Sequence, residues 1–209
     1  MTFPLKKPLT LLVLSASLVV TLSACVPVIF GGVVVGSLMA TDRRTSGAQV
    51  EDEGIELRGS SRIRENLGER VHINITSYNR QVLLTGEVPS LQDKQLAEQI
   101  VAKVDNVRAI VNELEVLGNA TLSQRSSDTL VTGRVKAALV DAKDLYANAF
   151  KVTTERGVTY LMGRVTQREA NRATEIARST SGVQKVVRIL EIISEDDLKN
   201  MLPAQPPAK

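Results

Sequence analysis

Few side chains in this 209-residue chain could do covalent chemistry: there is one cysteine, Cys25, and one histidine, His72. Nucleophiles need an activating base, and acid–base catalysts need a tuned partner. Neither residue has one nearby in sequence. His72 falls on the polar side of an alternating segment, with Asn74 and Thr76 against Val71, Ile73 and Ile75, and is expected to face solvent. No phosphate-binding glycine loop opens a helix, and no metal-ligand spacing occurs. The chain reads as non-enzymatic, with no metal and no cofactor. Gly86 and Gly163 are single glycines inside strand patterns, read as bulges or close helix contacts.

A second set of residues suits non-covalent chemistry. From residue 126 onward, Val131, Val135, Ala138 and Leu139 share one face of a helix. Leu130, Gly133, Arg134 and Ala137 then point elsewhere, with Lys136 nearby. An exposed leucine beside two cations fits an anionic phospholipid surface. The apolar chain enters the acyl boundary and each cation contributes about 1 kcal/mol against phosphate. The competing reading packs Leu130 against the first half of the chain and leaves the cations solvated. Arg164, Arg168, Arg172 and Arg178 form another basic stripe. Glu169 and Glu175 interrupt it, which favours a solvated helix face with ion pairs.

Composition narrows the classes. Hydrophobic residues make up 43% and charged residues 23%, so a packed core is expected. Aromatics are only 3%, with no Trp, which argues against base stacking on nucleic acid. The formal charge of +3 includes Lys6 and Lys7, and without them it falls to +1, too small for a polyanion binder. The halves differ: residues 51–116 hold 8 basic and 12 acidic side chains, residues 126–193 hold 11 and 7. An anionic partner should meet the second half.

The N-terminus has the grammar of an export signal: Lys6 and Lys7, an apolar run from Leu9 to Val20, then small residues. That run is shorter than the roughly 20 residues a spanning helix needs. Leu22-Ser23-Ala24-Cys25 resembles the lipobox of bacterial lipoproteins. The resemblance implies removal of residues 1–24, a diacylglycerol thioether on Cys25, and fatty acylation (palmitate or similar) of its new amino group. Val26 replaces the Asp that retains such proteins at the inner membrane, which is consistent with the outer membrane. Residues 26–40 are apolar but interrupted by Pro27 and three glycines. They are read as part of a tether over 25–50 rather than a second pass through the membrane.

The remaining chain repeats itself. Gly86 aligns with Gly163 and Val88 with Val165; after a one-residue gap, Ala97 aligns with Ala173, Val107 with Val183 and Leu114 with Leu190. Upstream, Ile55 aligns with Val131 and Ile63 with Leu139. Each unit reads helix–strand–strand–helix–strand. The first helix of unit one has a weaker apolar face, because Gly59 and Arg62 interrupt it. That of unit two is expected to start from Asp128 or Thr129 as N-cap. Turns are expected at Asn79-Arg80 and over 155–157, a stripe of Leu96, Ile100 and Val104 in the second helix, and closing strands over 107–116 and 183–193. Each unit is about 65 residues, near the lower limit for folding alone, so mutual packing of the units would add useful burial.

V-x-L-x-G-x-V over Val82–Val88, followed by a helix and Asn106-Val107 to Leu114, is similar to the BON domain. Thr159–Val165 with Gly182-Val183 to Leu190 repeats it. Together with the lipobox, the chain resembles the dual-BON outer-membrane lipoproteins. The resemblance implies an α+β fold, two tandem αββαβ domains with two helices on a three-stranded mixed sheet. Boundaries are drawn at 51–118 and 126–194, with a linker over 119–125 and a disordered tail over 195–209. It also implies a lipid-anchored, periplasm-facing protein of envelope integrity whose second domain binds anionic phospholipid at division sites. Members often carry a large aromatic where this chain has Leu130. The alternative function is an interaction module for an envelope-assembly or cell-wall-remodelling protein.

Overall fold

The computed structural model describes residues 42–201. The export signal, Cys25, most of the tether and the last eight residues lie outside the described residues. No described helix is long and apolar enough to cross a membrane.

The first domain opens with helix α1 (Ser46–Leu67), capped by the Thr45 hydroxyl, which accepts from the Ala48 N–H. It begins inside the stretch read as tether, because its first turns are polar and carry no apolar period. Its buried face is Asp52, Ile55, Gly59, Ile63 and Leu67. Gly59 does not weaken that face: a Cβ there would lie 2.8 Å from Ile75 Cδ1, so the glycine is where helix and sheet approach most closely. Arg62 stays at the rim and donates to the Lys103 carbonyl.

Strands β1 (His72–Tyr78) and β2 (Gln81–Val88) pair antiparallel. The two residues between them, Asn79 and Arg80, have φ of 50° and 65°, the conformation a two-residue hairpin requires. Helix α2 (Leu91–Ala102), N-capped by Ser90, crosses over to β3 (Ala109–Asn112) and β4 (Glu115–Val116), both parallel to β2. Its buried residues are Ala97, Ile100 and Val101; Leu96, expected inside, is 39% exposed. The closing strand is broken at Glu113-Leu114 without a change of register, since the pairs Leu84–Asn112 and Glu87–Glu115 keep one offset. Leu114 therefore lies opposite Gly86, whose φ of 111° takes β2 out of regular geometry.

The second domain repeats the plan. Helix α3 (Leu122–Asp141) starts six residues before the expected cap, because Thr121 and Gln124 form a capping box. Asp128 is a buried residue inside the helix. Strands β5 (Phe150–Glu155) and β6 (Val158–Thr166) pair antiparallel across Arg156-Gly157, α4 (Gln167–Ser179) crosses over, and β7 (Lys185–Ile193) runs parallel to β6. A short helix, α5 (Glu195–Met201), with Leu198 buried, occupies the start of the expected disordered tail.

Each domain has its own core, between its helices and its sheet. A third cluster joins the domains: Tyr78 and Leu83 pack with Tyr160, Met162 and Ile189. Sheet residues turned away from the helices thus bury one another, at roughly 1.5–3 kcal/mol for each large side chain fully buried. Polar contacts reinforce the junction. Arg43, just before α1, makes a two-pronged ion pair with Glu169 (both contacts 2.7 Å) and donates to the Arg164 carbonyl. Asn79 donates to Glu191, and Lys151 reaches both Glu56 and the Ser77 carbonyl.

Candidate functional site

Two places present chemistry. The first is the outer face of α3. Its inner face, Asp128, Val131, Val135 and Leu139, is held against the second core. The opposite face is left uncovered by the described residues: Leu130 is 63% exposed, Leu122 79% and Val140 68%. At 3.6 residues per turn these three, with Gly133 and Ala137, fall within one stripe. No described residue outside the helix's own backbone lies within 4 Å of where a Cβ on Gly133 would sit. Lys136 and Arg134 flank the stripe on either side, both exposed. Arg134 donates to the Ser181 carbonyl at 3.4 Å. All five residues singled out from the sequence are thus exposed on one helix. Sequence reading missed Leu122 and Val140, which lie outside the stretch 130–137 it considered.

The second place is a polar cleft of about 550 Å³ between the domains, lined among others by His72 and Asn74 of β1, Thr129 and Lys136 of α3, and Glu155 of β5. His72 is not solvent-exposed as expected. Its side chain is 18% accessible and its Nδ1 lies 2.9 Å from Glu87 Oε2. The strand alternation correctly turns it from the first core, but the second domain covers that side. Gly86 makes this pairing close: a Cβ there would lie 2.0 Å from the His72 carbonyl oxygen.

Glu87 is wholly buried. Burial pushes its carboxyl up, but the Ala120 N–H, the Arg156 guanidinium and His72 outweigh burial and hold it below the usual range. Burial also acts on Glu155, here reinforced by Glu87 and Asp128; the Asn74 amide and His72 do not offset it, and this carboxyl is raised. The arginine stripe is an ion-paired surface: Arg164 meets Glu191, Arg168 meets Glu195, and Arg172 meets Asp144 and Glu175.

This duplicated αββαβ fold matches the BON domain model twice, over residues 50–118 and 127–193, and the chain belongs to the BON-domain family. It is similar to the outer membrane lipoprotein DolP of Haemophilus influenzae, with 34% identity over 89% of this chain and 97% of that one. It is also similar to a 21 kDa hemolysin of Actinobacillus pleuropneumoniae, with 32% identity over 73% of this chain and 79% of the other.

Proposed function

We propose that this protein is a non-enzymatic lipoprotein of the outer membrane, anchored through acylated Cys25 and facing the periplasm. Its second domain contacts anionic phospholipid through the outer face of α3 and thereby supports envelope integrity at sites of division. The observation that carries the reading is the uncovered stripe of Leu122, Leu130 and Val140 beside Lys136 and Arg134. Three large apolar side chains on one helix face stand exposed among the described residues, and an apolar stripe edged by cations is what an interfacial helix presents to anionic lipid. The net positive balance of the second half and the likeness to a lipoprotein named for the outer membrane support the same reading.

The test is sedimentation of the folded unit, residues 42–201, with vesicles of phosphatidylglycerol in phosphatidylcholine against phosphatidylcholine alone. Binding should be confined to the anionic vesicles and weakened by Leu130→Glu. Equal binding to both would remove the lipid specificity.

A further inference from the structure

His72, Glu87 and Glu155 are far apart in sequence, yet their donor atoms all lie within 4.8 Å of one another. Two of the three are buried carboxylates, and His72 and Glu155 open on the interdomain cleft. We infer that this triad is a binding site for a divalent cation of zinc-like preference, shared between the two domains.

The donor set is the first argument. One imidazole and two carboxylates, with a solvent-facing fourth position, is a set that zinc accepts. A tetrahedral ion with ligands near 2 Å needs donors about 3.4 Å apart. His72 Nδ1 and Glu87 Oε2 are already 2.9 Å apart, and the Glu155 donor lies within 4.8 Å of the other two donors.

The second argument is outer-shell support. Asn74 donates to Glu155 at 2.8 Å, and the Ala120 N–H and Arg156 donate to Glu87 at 3.1 and 2.6 Å. Partners of this kind aim carboxylates and fix which oxygen faces an ion. Arg156 takes Oε1 of Glu87, while Oε2 accepts from the Ala120 N–H and faces His72.

Because Glu155 comes from the second domain and the other two from the first, bound metal would tie the domains together.

The test uses the full chain in detergent micelles, stripped with chelator and titrated with Zn2+ by calorimetry. One ion should bind per chain and raise the thermal midpoint. His72 is the only histidine, so its ring NMR signals report the site directly and should shift on binding. Glu155→Gln keeps an acceptor for Asn74 and should fold normally, yet weaken zinc binding by at least the roughly 10–100-fold that loss of an outer-shell partner costs. His72→Ala should do the same, and Glu53→Gln, an exposed site, should not. Should His72→Ala misfold, Glu155→Gln decides. Absence of saturable binding, binding that leaves the His72 signals unmoved, or unchanged affinity in Glu155→Gln would overturn the assignment.

Discussion

Asp52 and Asp128 occupy the same position in the two domains. Each is a buried carboxylate on the domain's first helix that accepts two consecutive backbone N–H groups from the hairpin turn: Asn79 and Arg80 at 2.8 and 2.7 Å, Arg156 and Gly157 at 2.8 and 2.9 Å. These turn residues are held at positive φ, and their N–H groups turn to the carboxylate. The carboxylate satisfies those donors and fastens the helix to the sheet. Replacing either Asp with Ala leaves two turn N–H groups unpaired. At about 1.5–3 kcal/mol per hydrogen bond to a charged group, a loss of roughly 3–6 kcal/mol is expected in urea denaturation.

The same carboxylate makes stability depend on acid. Burial would raise Asp52, but Ser77, Arg44 and the two turn N–H groups outweigh it and hold the carboxyl below its ordinary 3.8. Glu169, paired with Arg43 and capped into Thr166, is likewise held below its ordinary 4.5 despite burial. Both folded-state values are depressed, so their contribution is full above the unfolded values and is lost as pH falls through the folded ones. The urea midpoint should therefore drop as pH is lowered below about 4.5, and Asp52→Asn should flatten that dependence.

Arg43 is a clasp between domains. Its side chain and that of Glu169 are 3% and 1% accessible. Arg43→Ala strands a buried carboxylate, an expected cost of about 3–5 kcal/mol. Chemical denaturation of the variant measures it.

Two glycines should respond in opposite directions to alanine. Gly86 has φ 111° and no room beside the His72 carbonyl, so Gly86→Ala should destabilise by several kcal/mol, roughly as other strained, overpacked sites do. Gly133 lies in a helix interior with open space around it, so Gly133→Ala should stabilise by about 0.5–1 kcal/mol. Thermal midpoints of the two variants decide.

Much of this molecule was legible in its sequence, for identifiable reasons. Strands such as Ile73–Ile75 alternate with period two, the hairpin at Asn79-Arg80 is marked by its turn residues, and the duplication is visible because core positions align. Asp128 misled because an acidic residue before an apolar period resembles an N-cap. The true cap, Thr121 with Gln124, lay in what read as linker. Ala97 and Val101 displaced Leu96 because the inner face of α2 runs through Ala97, Ile100 and Val101, at i, i+3 and i+4, and Leu96 falls at its edge. The environment of His72 could not be read at all. It is set by Glu155, 83 positions away, and by a domain interface that no local pattern encodes.

The account rests on α3 meeting the lipid surface. The most direct measurement places an environment-sensitive fluorophore on the Leu130→Cys thiol of residues 42–201, a stretch without Cys25, mixed with vesicles. The emission should shift to the blue in vesicles containing phosphatidylglycerol and remain at its aqueous position in phosphatidylcholine alone. A probe at position 130 that stays in water in both would contradict the account.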